Sequence, residues 1–506
     1  MGRTYYISPK GNDNNTGLSI HDAWKTIEKV NQVHFQPGDT ILFESGGIWY
    51  GNLSPLGSGE QGKPITISSF GSGPMPTINI GKAAGTGIKL VDQSWWEIRG
   101  IEITSGAPPQ LGVKREAISI MAKEGEVRGI TIKDCYIHDI WGQLGGPAQS
   151  FMIYVGPANR RDRSAINRVN NILVENNKIE RCDKAGIVVI GRNNIIVRRN
   201  YLENLGGDGI IVGGAYRGLI EYNVVDRTCL RIGDPDVTGS EKWWPHSAAV
   251  WIIWCEETIM QFNEVYNTGR QPRNGDGFAY DFDLGCRRCI LQYNFSADNH
   301  GFLLIMNDTY GNIARYNISQ NDQTHLIQMH GNVEDENLVH NNVFYVDHST
   351  VDIDLYMGME EMKDEDKAKL GAIFKNNIFY ATGQGRFRIV YTYGEAWDRK
   401  FITKRLPSNL GGPIFRRNLY FGPWLNGLPD DPKRLVADPM FVAPGTGGRG
   451  LSTLDGYKLK PGSPCVDAGV SIEMDNRRDF YGNPINDGAI DIGVYEQPRF
   501  EKINRS

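Results

Sequence analysis

Three observations predict an all-β solenoid, a parallel β-helix. Short strand-like runs recur through most of the chain, each carries Asn at one fixed position, and their spacing keeps returning to about 23 residues. The runs are VENNKIE (Asn177), VRRNYLE (Asn200), IEYNVVD (Asn223), MQFNEVY (Asn263), LQYNFSA (Asn294), ARYNISQ (Asn317), VHNNVFY (Asn342), FKNNIFY (Asn377) and FRRNLYF (Asn418). The intervals between these asparagines are 23, 23, 40, 31, 23, 25, 35 and 41 residues, a basal period with insertions. Each unit adds a second apolar run after a Gly or small residue, such as GIVVI from 186, GIIVGG from 209 and GFLLIM from 301. Two or three short strands per turn make a coil that buries its apolar face only against its neighbours, and insertions leave it as loops. An Asn at one corner suits left-handed backbone angles, and stacked amides can donate from coil to coil.

Other repeat architectures fit less well. Propeller blades need about 40 residues and four strands each, and helical solenoids need a 3.6-residue period that is scarce here. Helix is expected only within Ser19–Val33, around AWKTIEKV, and in the charged stretch Glu360–Leu370. Residues 1–75 read as the N-terminal entry and cap, 76–425 as the coils with a groove, and 426–506 as C-terminal coils and tail. Insertions are expected at 139–151, 229–247, 357–371 and 384–412. The second holds Trp243 and Trp244 beside His246, and the last holds Tyr391, Tyr393 and Trp397. Aromatic rings on loops over a rigid scaffold suit the C–H faces of sugars.

Composition excludes several partners. With 54 basic and 59 acidic residues and a net charge of −5, no broad basic face invites nucleic acid. No run of about 18 apolar residues predicts a membrane span. The start, MGRTYYISPKGNDNNTG, is not a signal peptide. It reads as an added Met-Gly on a mature chain, so a secreted or periplasmic location is expected. Of the seven cysteines, Cys286 and Cys289 form the one close pair. Without a second pair or a His cluster they do not predict zinc or redox chemistry, and all seven are expected as buried thiols.

The order YYISPKGNDNNTG, AWKTIEKV, PGDTILF, KPITISSFG resembles the N-terminal entry of secreted bacterial right-handed parallel β-helix proteins that act on polysaccharides. KPGSPCVDAG (460–469) and DFYGNPINDGAIDIGVYE (479–496) resemble their C-terminal tail. The resemblance covers both ends and the Asn repeats. It implies a carbohydrate-active enzyme; hydrolases, lyases, epimerases and binding proteins share the architecture.

The residues within the second runs point to where the chemistry lies. Counting alternation from each leading small residue puts Val188, Ile190, Ile211, Val250, Ile252, Leu303, Ile305, Leu326, Ile353 and Leu355 inside. It puts Trp251, Phe278, Tyr280, Phe282, Phe302, Leu304, His325, Asp352 and Asp354 outside. The residues just before share the outward side: Asp208, Ser247, Asp276, His300 and Gln323. Neighbouring coils lie roughly 4.8 Å apart, so Asp208 and Asp276 fall about 10 Å apart, near the upper range for two carboxylates that invert a glycosidic bond. This Asp, Asp, His column resembles the strand-start acids of polygalacturonase-type hydrolases, although their adjacent Asp pair and Arg-x-Lys motif are missing here.

Asp281 and Asp283 share the inward parity on the same count. Buried carboxylates are costly unless paired or bonded, so the strand is expected to end near Asp281 and turn both outward. There they line up with Asn307 and His330 in later coils and Arg192 in an earlier one. In enzymes resembling this chain, a run like DGFAYDFD carries catalytic carboxylates.

The catalytic candidates are therefore Asp276, Asp281, Asp283, Asp208 and His300. Trp251, Tyr280, Asn307, His325, His330, Arg192, Trp243 and Trp244 are the substrate-binding candidates. The leading expectation is a glycoside hydrolase acting on a polysaccharide or its oligosaccharides, without a cofactor. A polysaccharide lyase is the alternative. It needs a Lys, Arg, Tyr or His base and cations to neutralise a uronate, while these strands are rich in acids; Asp352, Asp354 and the 281–283 pair offer hard oxygens for Ca²⁺. A non-catalytic carbohydrate-binding β-helix is the third class. The sequence leaves the oligomeric state open.

Overall fold

The computed structural model describes residues 2–108, 110, 112–143, 149–231, 247–269, 277–330, 337–358, 372–394, 402–403, 413–472, 478–485 and 490–498. The chain forms two compact units, Met1–Ile259 with Asn267–Asp281, and Met260–Tyr266 with Phe282–Ser506.

In the first unit three parallel sheets take one strand in turn from each coil. The first sheet runs from Thr4–Ile7 to Leu219–Glu221, the second from Ile48–Tyr50 to Val224–Asp226, and the third from Gly85–Val91 to Val250–Ile253. Pairing already begins at Thr4, which lies opposite Thr40. Stacked aliphatic rows hold the coils together. Ile41, Ile67, Ile98, Ile132, Val174 and Val197 stand in register, all buried. Branched side chains suit a pleated surface, and burying each contributes about 1.5–3 kcal/mol. A 3-10 turn at Ile20–Asp22 and a helix at Ile27–Asn31 occupy the expected N-terminal segment. Thr26 Oγ1 accepts the Lys29 N–H at 3.2 Å and so caps the helix. Glu360–Leu370 lies outside the described residues.

The second unit repeats the plan. Its first sheet runs from Ile290–Gln292 to Ile414–Arg416, its second from Glu264–Tyr266 to Leu435–Val436, and its third includes Gly301–Ile305, His325–His330, Thr350–Gly358 and Arg386–Gly394.

All nine repeated asparagines are buried. In the first unit, Asn177 Nδ2 donates to Asn200 Oδ1 at 2.9 Å and Asn200 Nδ2 to Asn223 Oδ1 at 3.0 Å. In the second, the ladder runs from Asn263 through Asn294, Asn317, Asn342 and Asn377 to Asn418. It ends on Asp431, whose carboxylate accepts from Asn418 Nδ2 at 3.1 Å. The amides also reach earlier coils, as Asn200 Nδ2 does to the Val174 carbonyl at 3.0 Å. One expectation is corrected. The left-handed residue is not the ladder Asn but the one before it: Asn176, Arg199, Tyr222, Phe262, Tyr293, Tyr316, Asn341, Asn376 and Arg417 all have φ between 51° and 62°. The left-handed turn falls just before the Asn, whose amide is aimed along the stack. All seven cysteines are buried.

Candidate functional site

The third sheet sets which residues face outward, and its phase differs from simple counting. A Cβ on Gly209 would meet Val225 Cγ1 at 2.7 Å, and one on Gly186 would meet Leu202 at 2.4 Å, so both glycines face the interior. The next residues, Ile187, Ile210 and Val250, are also in the fully buried inner row. The chain is still turning a corner at Gly209, so two consecutive residues point inward and alternation starts one position later.

This phase corrects several assignments. Val188, Ile190 and Ile211 lie on the outer face, packed with Phe151, Tyr154 and Ile166, with Trp251 and Trp254 against them. The Ala249 N–H donates to the Phe278 carbonyl at 2.9 Å. That bond sets Tyr280 beside Val250, inside, and Asp281 beside Trp251, outside. Tyr280 is fully buried and is not placed to touch a sugar. In the second unit, the Met306 N–H donates to the Phe282 carbonyl at 3.0 Å, which sets Asp283 beside Met306 and turns Phe282 inward. The Phe302 ring lies 5.8 Å from Phe344, also inside. Asp281 belongs to the strand Phe278–Phe282, so it faces outward by alternation and not because the strand ends there.

In the first unit, Asp208 has no exposed surface. Its carboxylate takes an ion pair from Lys184 Nζ at 2.5 Å and hydrogen bonds from Trp251 Nε1 at 2.9 Å and the Ala248 N–H at 3.2 Å. Lys184 Nζ also reaches Ser247 Oγ at 3.3 Å. One residue earlier, buried Asp183 accepts from Arg231 Nη1 on both oxygens at 3.0 Å and from the Gly142 N–H at 3.0 Å. The Arg231 guanidinium lies 5.2 Å over Trp141. Arg192 lies two residues beyond the strand Ala185–Ile190 and is taken up by Glu256 at 3.1 Å and the Gly214 carbonyl at 3.2 Å, so it does not stand in the expected row.

In the second unit, the His300 and His325 rings meet edge to face at 5.6 Å. His325 Nδ1 lies 3.6 Å from an Asp354 oxygen. Arg388 grips Asp352 with two bonds of 2.8 Å. Leu304, Gln328, Asp354 and Val390 stand in one row, and His325, Asp352 and Arg388 in another. His330 is in register with Met306, hence in the row of Asp283; Asn307 falls one position past it.

Asp276, Trp243 and Trp244 lie outside the described residues. Among the described residues no group of three or more His, Cys, Asp and Glu is arranged to hold a metal ion. Counting along the sequence passed over Lys184, Asp183, Arg231, Gln328 and Arg388. Lys184 adopts φ +55° at a corner, which residue type does not reveal. Arg388 and Gln328 become visible only once the outward rows are phased.

Residues 77–231 match the family model described as "Right handed beta helix region". Lacto-N-biosidase of Bifidobacterium longum subsp. longum is 26% identical, over 98% of this chain and 36% of that protein. The chain therefore spans about a third of the length of that curated relative. Two crystal structures of a GH136 lacto-N-biosidase from Eubacterium ramulus superpose on the fold. The native protein gives a TM-score of 0.58 at 20% identity, covering 82% of this chain and 68% of that one. The selenomethionine form gives 0.55 at 22% identity over 76% and 68%. The chain is a right-handed parallel β-helix. Among its described residues no helix is long and apolar enough to cross a membrane.

Proposed function

We propose that this protein is a glycoside hydrolase acting on oligosaccharides, of the lacto-N-biosidase kind, and that it works outside the cytoplasm without a metal cofactor. The observation that carries the reading is the outward phase of Asp281 and Asp283. One residue separates them in the sequence, and Asp281 follows Trp251 in the outer row, where aliphatic side chains give way to an indole and then to acid. Glycoside cleavage needs two carboxyl groups. One protonates the leaving oxygen, and the other serves as base or nucleophile. Asp276, five residues before Asp281, is the third candidate. The relation to lacto-N-biosidases supports the same chemistry.

Two cations beside the outer face argue against β-elimination. Lys184 and Arg388, which could neutralise a uronate, are each held by a carboxylate, Asp208 and Asp352.

The test is product analysis on glycans that lacto-N-biosidases cleave, with a wider polysaccharide panel alongside. New reducing ends are expected, without near-ultraviolet absorbance from an unsaturated uronide and without sensitivity to EDTA. At least two of the variants Asp276→Asn, Asp281→Asn and Asp283→Asn should lose about 10²–10⁴-fold in turnover. Wild-type turnover in all three would remove the site assignment, and an unsaturated product would make the enzyme a lyase.

A further inference from the structure

We propose that Lys184 and Asp208 are positioning residues, which hold the Trp251 indole as the wall of a sugar-stacking subsite beside Asp281. The inference rests on the hydrolase reading for the reaction, though not for the geometry.

Asp208 resembles a catalytic acid in sequence, and its surroundings deny it that role. It has no exposed surface, so no oxygen reaches a substrate. Its partners are all donors: the Lys184 ammonium at 2.5 Å, the Trp251 indole N–H at 2.9 Å and the Ala248 N–H at 3.2 Å. A carboxyl that accepts from every neighbour is an anchor for those neighbours. Lys184 is itself fixed. It sits at φ +55°, a backbone conformation that L side chains rarely adopt, and Ser247 Oγ lies 3.3 Å from its ammonium.

What the anchor holds is distinctive. Tyr154, Val188 and Ile211 precede Trp251 in the same outward row and are buried, whereas Trp251 is partly exposed. Asp281 follows it, by the Ala249–Phe278 bond. Trp251 is thus the partly exposed member of this stretch of the row, and Asp281, 6% exposed, lies beside it. An indole pinned at its N–H edge can present its face to an apolar sugar C–H surface while its polar edge remains satisfied. The ligand class is a neutral pyranose, stacked on Trp251 with its glycosidic oxygen toward Asp281.

The protein has 11 tryptophans, so the test uses 5-fluorotryptophan labelling and ¹⁹F NMR of the full chain. The Trp251 line is assigned by its loss in Trp251→Phe. It should be narrow, and should shift on adding lacto-N-biose at millimolar concentration. In Asp208→Asn and in the charge-neutral double variant Lys184→Met/Asp208→Asn it should broaden or move while the other lines hold. Lys184→Arg, which keeps a cation beside Asp208, should leave the line as in the wild type. In turnover, Asp208→Asn and Trp251→Phe should raise KM about tenfold, change kcat less than threefold, and leave both limbs of the pH–rate profile in place. Loss of a limb in Asp208→Asn, or a kcat loss as large as that of Asp281→Asn, would make Asp208 the acid or base and overturn the proposal. A Trp251 line indifferent to Asp208, or to lacto-N-biose, would overturn it as well. If no glycan is cleaved, the hydrolase reading fails by itself, and the spectra still decide whether Trp251 is held.

Discussion

The third sheet presents opposite outer faces in the two units. In the first, Phe151, Tyr154, Val188, Ile190 and Ile211 form a buried apolar cluster roofed by Ile166. In the second, the outward rows carry His325, Asp352 and Arg388, then Gln328 and Asp354. The inner rows barely differ, being aliphatic in both: Ile187, Ile210 and Val250 in one, Leu303, Ile327 and Ile353 in the other. The scaffold is therefore indifferent to its outer residues. The first outer face is given to packing as far as Ile211, before the row reaches Trp251 and Asp281, while the second mixes buried Leu304 and Val390 with polar groups suited to hydroxyl-rich ligands.

This contrast separates stability from activity by position. Tyr154→Ala should cost about 3–5 kcal/mol, the range for emptying a buried aromatic site, and leave kcat/KM of the remaining folded protein within twofold. His325→Ala and Gln328→Ala should do the reverse. Each should lower kcat/KM about 10–100-fold, and the partly exposed His325 should change stability by no more than about 1 kcal/mol. Urea unfolding and initial rates on the same samples check both. If His325→Ala unfolds the protein as readily as Tyr154→Ala, the second face is also a packing face and the division fails.

The architecture was legible because it is written in repetition. Nine asparagines at one position state the coil period directly, and each proves to be a rung of a buried amide ladder. Outward orientation was harder to read. Alternation is reliable inside a strand, but its starting point depends on where the corner ends. Gly209 and Ile210 both face inward, and that single step moved Val188, Ile211, Tyr280 and Phe282 to the opposite side. Asp281 then needs no bulge to escape burial. Lys184 was illegible for another reason: its role follows from the 2.5 Å contact with Asp208, 24 residues on, across a left-handed corner. No local pattern encodes that contact.

The corners that launch the two faces differ in how they treat a buried carboxylate. Asp183, ahead of Ala185–Ile190, meets the Arg231 guanidinium. Asp322, ahead of His325–His330, is held only by neutral groups. Ser319 Oγ lies 2.6 Å away, Asn299 gives its N–H at 3.0 Å and its side-chain amide at 2.9 Å, and Ser296 Oγ also donates. Burial pushes the Asp322 carboxyl up from 3.8 to about 6. Because the folded state then binds the proton more tightly than the unfolded chain, Asp322 favours folding at low pH. That contribution declines as pH rises from about 4 to about 6 and is gone above it. The loss is about 3 kcal/mol at most. Asp322→Asn should flatten this part of the stability–pH curve, read by urea unfolding at pH 4, 5, 6 and 7. A variant that keeps the wild-type slope would show that Asp322 titrates as it does in the unfolded chain.

The smallest effect belongs to the pair that looks strongest on the second face. Arg388 grips Asp352 through two bonds of 2.8 Å, yet its side chain is 40% exposed against 10% for its partner. Water screens such a pair and ordering the long side chain offsets the attraction, so its coupling should lie between about 0 and 1 kcal/mol. A double-mutant cycle of Asp352→Asn and Arg388→Gln, followed by urea unfolding, measures it directly. A coupling of several kcal/mol would mean that the pair is a structural clasp, equivalent to the apolar cluster on the first face. A small coupling leaves the bidentate geometry with a different consequence. Asp352 fixes the guanidinium plane and masks its charge, so Arg388 can offer hydrogen bonds to hydroxyl groups without demanding an anionic substrate.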